Sequence, residues 1–196
     1  MTFLNSRIEI CEYDPSWAKA FRDYAFTLQS VLGQLAMSIE HIGSTSVVGL
    51  AAKPIIDIDI AISSRLLLQE TIAQLAKLNY THQGNLEIPG REAFIQPQGT
   101  KQHHLYVCSV DTPNLHNHLI FRDYLRTHPD TVQEYGNLKK QLVQECGGDR
   151  NAYTMAKTEF IESILAKADA EYGFHTLQPQ LAQPSRSQDT DNQPQA

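Results

Sequence analysis

Few folds accommodate the stretch Ile55-Ile56-Asp57-Ile58-Asp59-Ile60-Ala61-Ile62. An extended chain sends successive side chains to opposite faces, so Ile56, Ile58, Ile60 and Ile62 share one side while Asp57 and Asp59 share the other. The apolar side has to be buried, and the acidic side has to be solvated, neutralised or used. This is a strand whose sheet is backed by hydrophobic elements on one face and carries two carboxylates on the other. Two parallel carboxylates at short separation repel, and one pKa rises unless a cation sits between them. Oxygen-only ligation by one or two carboxylates, completed by water and substrate phosphate, suits Mg²⁺ or Mn²⁺, which makes Asp57 and Asp59 candidate metal ligands. A solvated edge-strand face is the alternative reading of the same alternation.

Upstream, Gly43-Ser44-Thr45 is a small-residue turn whose backbone N–H groups and hydroxyls suit phosphate oxygens. It is not a Walker A loop, because Leu50 rather than lysine follows the second glycine, Gly49. Lys53 reads either as a phosphate contact or as a surface lysine in a turn.

Around this segment the chain alternates strands and helices up to about residue 110. Residues 7–13 suggest a short edge strand. Asp14-Pro15 opens a helix whose stripe of Trp17, Phe21, Tyr24, Leu28, Val31 and Leu35 continues to about Met37. Ser38 to Ile42 reads as a strand, and Ser63 and Ser64 cap a helix carrying Leu67, Leu68, Ile72, Leu75 and Leu78. Gly84, Pro89 and Gly90 punctuate a loop or hairpin before strands at Arg91–Gln96 and His103–Val110. On the latter, Leu105 and Val107 face one way and His104, Tyr106 and Cys108 the other.

From Thr112 the pattern is helical: Pro113 to about Arg126, Pro129 to about Cys146, and Asp149 or Asn151 to about Tyr172. Cations stand on the apolar faces of these helices. Tyr153, Lys157, Phe160 and Ile164 share a side, Lys139 lies between Tyr135 and Leu142, and His118, Arg122 and Arg126 form a line. Fully buried cations are rare without partners. Arg122, Arg126, Lys139 and Lys157, with Tyr153, are therefore candidates to hold one anion over the acidic face, snorkelling and ion pairing being the alternative. The Gln-, Pro- and Ser-rich tail after Gly173 reads as disordered.

The run His41-Ile-Gly-Ser-Thr-Ser-Val-Val-Gly-Leu-Ala-Ala-Lys-Pro-Ile-Ile-Asp-Ile-Asp59 resembles the signature of the GrpB family. So do Phe121-Arg-Asp-Tyr-Leu-Arg126 with His128-Pro129, then Tyr135 with Leu138-Lys139, and Tyr153 with Lys157 and Phe160-Ile161. The likeness runs over roughly residues 7 to 170. It implies an α/β (α+β) fold of the nucleotidyltransferase superfamily that includes DNA polymerase beta: a mixed sheet in residues 1–110 with helices on one face, and a C-terminal three-helix segment over 111–172 roofing the cleft, before a tail at 173–196.

The implied reaction moves a nucleotidyl group from a nucleoside triphosphate to an unidentified acceptor. Asp57 and Asp59 would hold metal, and Gly43, Ser44 and Thr45 would contact phosphate. The superfamily carries a third carboxylate on a neighbouring strand. His103-His-Leu-Tyr-Val-Cys108 has none, which leaves His104 as base, ligand or plain structural residue, and Tyr106 stands where the family pattern has a second histidine. A nucleotide-binding module without turnover and a metal-dependent phosphohydrolase are the rival readings. GrpB-like domains fused to dephospho-CoA kinase imply a link to coenzyme A metabolism.

The formal net charge of −6 lacks the footprint of a general nucleic-acid binder. Cys11, Cys108 and Cys146 lack disulfide or zinc spacing. With no apolar run long enough for a leader or a membrane span, the expectation is a cytosolic protein.

Overall fold

A computed structural model describes residues 9–147 and 149–173. Five strands form one mixed sheet: β1 (Ser38–Ile42), β2 (Ile56–Ile62), β3 (Thr81–Gly84), β4 (Arg91–Ile95) and β5 (His103–Ser109). Their order is β1-β2-β5-β4-β3, with β2 and β5 parallel and every other pair antiparallel.

Two helices cover the isoleucine face. Helix α1 (Ser16–Leu32) starts where the Asp14 carboxylate accepts a hydrogen bond from the Ser16 amide at 2.8 Å, and α2 (Leu68–Ala76) follows a single 3₁₀ turn capped by Ser64. Trp17, Leu28 and Leu32 of α1 and Leu68 and Leu75 of α2 pack with Ile56, Ile58, Ile60, Ile62, Leu105 and Val107. Each fully buried isoleucine contributes about 2 kcal/mol, so a one-residue register slip of β2 would exchange several such gains for buried carboxylates.

The opposite face is covered by α3 (Pro113–Thr127), whose Leu115 and Leu119 pack on Ala61 and Cys108. Helix α4 (Pro129–Glu145), α5 (Arg150–Ala156) and α6 (Thr158–Tyr172) complete the roof. Val47 and Leu50, from the segment between β1 and β2, are buried against Leu125, Val132 and Tyr135, which fixes that segment between the helices and the sheet.

The mixed sheet, the two helices on the isoleucine face and the helical cover on the acidic face agree with the expected fold class. Three local expectations differ. The last helix is interrupted at Lys157, where Thr158 Oγ1 turns back to the Thr154 carbonyl at 3.4 Å. The edge strand expected at residues 7–13 is a single bridge between Cys11 and Ala52, residues 7 and 8 lying outside the described part. The hairpin partner β3, Thr-His-Gln-Gly, has no apolar residue and therefore left no alternation to read. The tail expectation falls on residues 174–196, outside the described part. No described helix is long and apolar enough to cross a membrane.

Candidate functional site

The β2 alternation places both aspartates beneath the helical roof. Asp59 is wholly buried; its Oδ2 accepts from His118 Nδ1 of α3 at 2.7 Å, and its Oδ1 is a buried oxygen with no partner among the described residues. Asp57 is partly open, and its Oδ1 accepts from His104 Nδ1 of β5 at 2.7 Å, because β5 runs parallel to β2 with His104 directly beside Asp57. A buried carboxylate oxygen without a donor is costly in an apo protein, and a hard divalent cation relieves that cost. The donor set, two carboxylates on a partly open face, fits Mg²⁺ or Mn²⁺. Among the described residues no group of three or more His, Cys, Asp or Glu is arranged to hold a metal, so such a cation would draw its other ligands from water and phosphate.

Gly43 closes in on Asp57. Its φ of +68° suits glycine, and a Cβ there would stand 2.3 Å from Asp57 Oδ2. Immediately after it, Ser44 Oγ accepts from Lys139 Nζ of α4 at 2.8 Å. Lys139 is 2% exposed. Burial, reinforced by the charge of Lys157 and opposed by Asp57, pushes its ammonium down to about 7. Burial, then Lys53, likewise pushes Lys157 down to about 8, again against Asp57. The two ammoniums of Lys53 and Lys157 each lie 4.5 Å from the Tyr153 ring centroid, and that of Lys139 lies 4.5 Å from the Tyr135 ring, which stacks on Phe160. Neither Lys139 nor Lys157 has a carboxylate within ion-pair distance among the described residues. Lys139 is buried and Lys157 partly so, and ammoniums placed this way without carboxylate partners suit an anion. Lys53, ambiguous in the sequence, shares the Tyr153 ring with Lys157; Tyr153 is buried and touches the lysines rather than standing open as a platform.

Other expected residues are engaged elsewhere. Arg122 donates to Glu40 at 2.7 Å, to both Asp123 oxygens at 2.7 and 3.0 Å, and to the His41 carbonyl at 3.3 Å. Arg126 donates from Nε and Nη2 to the Ser46 carbonyl and from Nη1 to Asp123. The Thr45 hydroxyl is used between His41 Nε2 at 3.0 Å and the Ile55 carbonyl at 3.3 Å. These three hold the turn in shape.

Two residues not singled out for the site stand in it. Glu40 pairs directly with Asp59 across β1–β2 and so lies on the acidic face. The Ser38–Ile42 alternation carried that information, but which face it names depends on register. His118 headed the cationic line on α3, yet its bond to Asp59 depends on how α3 is rotated over the sheet.

A family model described as "GrpB: GrpB protein" matches residues 7–167. The chain is 37% identical over 157 residues to the UPF0157 protein YqkA of Bacillus subtilis, covering 80% of this chain and 46% of that one, so it spans less than half the length of that relative. It is 31% identical over 158 residues to the glutamate-rich protein GrpB of Alkalihalophilus pseudofirmus, covering 78% and 91%. A dephospho-CoA kinase of Mycolicibacterium paratuberculosis is 23% identical over 180 residues, covering 79% and 44%. The crystal structure of conserved protein GrpB from Enterococcus faecalis superposes with a TM-score of 0.76 at 32% identity, covering 84% of this chain and 99% of that one. A Cid1 poly(U) polymerase structure gives a TM-score of 0.44 at 13% identity, covering 67% and 45%, too distant to bear on chemistry.

Proposed function

The chain belongs to the GrpB family, and from that premise we propose that it is a metal-dependent enzyme that transfers a nucleotidyl group from a nucleoside triphosphate to an acceptor. The observation that carries the reading is the convergence of Asp57 and Asp59 with Lys53, Lys139 and Lys157 beside the Gly43–Ser44 turn, two carboxylates for a cation and three ammoniums for its anionic partner. Asp57 and Asp59 would hold Mg²⁺ or Mn²⁺, which supplies charge neutralisation at the phosphate oxygens. The lysines bind the phosphates and stabilise the charge that develops on them, and Ser44 orients them through its hydroxyl. His104 gives its Nδ1–H to Asp57 and so keeps an Nε2 lone pair for the acceptor's proton, the carboxylate steadying the imidazolium that results. Cys11, Cys108 and Cys146 are all unpaired, which suits a reducing cytosol.

A binding module without turnover is the second reading. It is favoured by Glu40, a further carboxylate opposite Asp59, being held by Arg122. The dephospho-CoA kinase relative supports coenzyme A metabolism as the setting for either reading.

Incubation with Mg²⁺ or Mn²⁺ and α- or γ-labelled triphosphates separates the possibilities. Pyrophosphate release with the α-label on an acceptor supports the transferase. Inorganic phosphate assigns a phosphohydrolase, saturable binding without product assigns the module, and absence of binding overturns the site itself.

A further inference from the structure

Beyond edge strand β1, where α1 on one face of the sheet meets the α3–α4 corner on the other, lies a cavity of about 670 Å³. That is within the usual range for a site holding a small organic molecule. None of Asp57, Asp59, Lys53, Lys139 or Lys157 lines it. The Gly43–Leu50 segment separates the two places: Ser44 bonds Lys139, while Thr45, Ser46 and Gly49 line the cavity.

Its chemistry is unlike that of the lysine cluster. Phe21, Val132 and Leu125 supply apolar wall, Arg22 supplies a guanidinium, Arg126 lines the cavity while bonded to the Ser46 carbonyl and Asp123, and no Asp or Glu is among the lining residues. Arg22 is exposed and has no ion-pair partner among the described residues. His41 closes one side. Its ring lies flat on Phe21, with centroids 4.6 Å apart at 10°. Because the Thr45 hydroxyl donates to the Ile55 carbonyl, His41 Nε2 is the donor to Thr45 Oγ1, and Nδ1 is left as an acceptor with no partner among the described residues. Burial keeps the ring neutral, its pKa down at about 4; Asp57 opposes this, while Arg126 and Arg122 add to it.

We propose that this cavity is a second ligand site, independent of the triphosphate reading, for a small organic anion: an aromatic or branched apolar body bearing a carboxylate or phosphate that meets Arg22. A hydroxyl or N–H on the same body would donate to His41 Nδ1. The apolar walls bind the body, and Arg22, whose charge no described carboxylate offsets, selects the charge.

The test is a titration of the full chain followed by backbone-amide and imidazole NMR, with four probes. Phenyl phosphate and benzoate carry body and charge, inorganic phosphate carries charge alone, and benzyl alcohol carries body alone. Saturable shifts at His41, Phe21 and Gly49 are expected from phenyl phosphate, benzoate or both, and the stronger of the two identifies the head group. Inorganic phosphate and benzyl alcohol should need about tenfold higher concentrations. Arg22→Gln, at an exposed position, should raise the dissociation constant about tenfold, the effect of one charge-assisted hydrogen bond. Ala18→Phe, which fills the cavity from α1, should abolish the shifts. The proposal fails if neither aromatic anion saturates, if inorganic phosphate binds as tightly as phenyl phosphate, if Arg22→Gln changes nothing, or if the shifts map to Lys139 and Lys157.

Discussion

Two lysines pushed down to about 7 and about 8 would make the proposed triphosphate binding a proton-uptake reaction. At pH 8 and without ligand, Lys139 is about one-tenth protonated and Lys157 about half protonated. A bound polyphosphate returns both to the ammonium form, so binding should draw about 1.4 protons from the buffer at pH 8 and almost none at pH 6, where both are already charged. Calorimetric titration of the α,β-methylene analogue of ATP with Mg²⁺, repeated in buffers of different ionisation enthalpy, reads this number directly. Lys139→Met should reduce the uptake to about 0.5 protons, and Lys157→Met to less than about 0.9, because without the Lys157 charge the Lys139 ammonium is pushed down less.

The same groups set a stability trend in the unliganded protein. Lys139 has a folded-state pKa below its unfolded value, so it opposes folding at neutral pH and ceases to do so as pH rises toward 10. Lys139→Met should therefore stabilise the unliganded protein by up to about 4 kcal/mol at pH 7, a gain that fades by pH 10 in denaturant unfolding. Uptake that is absent at pH 8, or equal in wild type and Lys139→Met, would refute the claim that buried ammoniums form the anion site.

Gly43→Ala puts a methyl group against Asp57 at a backbone angle that alanine avoids; expected are a lower melting temperature and loss of Mg²⁺-dependent triphosphate binding, both measurable in one thermal-shift series with and without ligand. Arg122→Ala leaves Glu40 beside Asp59 without its counter-charge; unfolding should become easier by about 2 kcal/mol, whereas triphosphate affinity should fall less than in Lys157→Ala.

The β2 alternation was legible because a period of two with isoleucine on one side and aspartate on the other leaves no second way to bury the chain. Lys139 and Lys157 were legible for a related reason, a cation on the apolar side of a helix beside Tyr135 or Tyr153. What the chain concealed were choices among partners far apart in sequence. Arg122 had the same spacing signal as the lysines, but its neighbour Asp123 and the distant Glu40 claim it. Thr45 sits in a phosphate-like turn, yet its hydroxyl is used by His41 and Ile55. His118 reaches Asp59 only through the rotation of α3, and the cavity past β1 arises from the meeting of α1 with the α3–α4 corner, which no local pattern encodes.

The most direct measurement is the same calorimetric titration of the Mg²⁺–triphosphate analogue into Asp57→Asn/Asp59→Asn, whose melting curve and circular dichroism establish that it is folded. A metal site held by Asp57 and Asp59 predicts a saturable isotherm for the wild-type chain and no metal-dependent heat for the variant. An unchanged isotherm in the folded variant would contradict it.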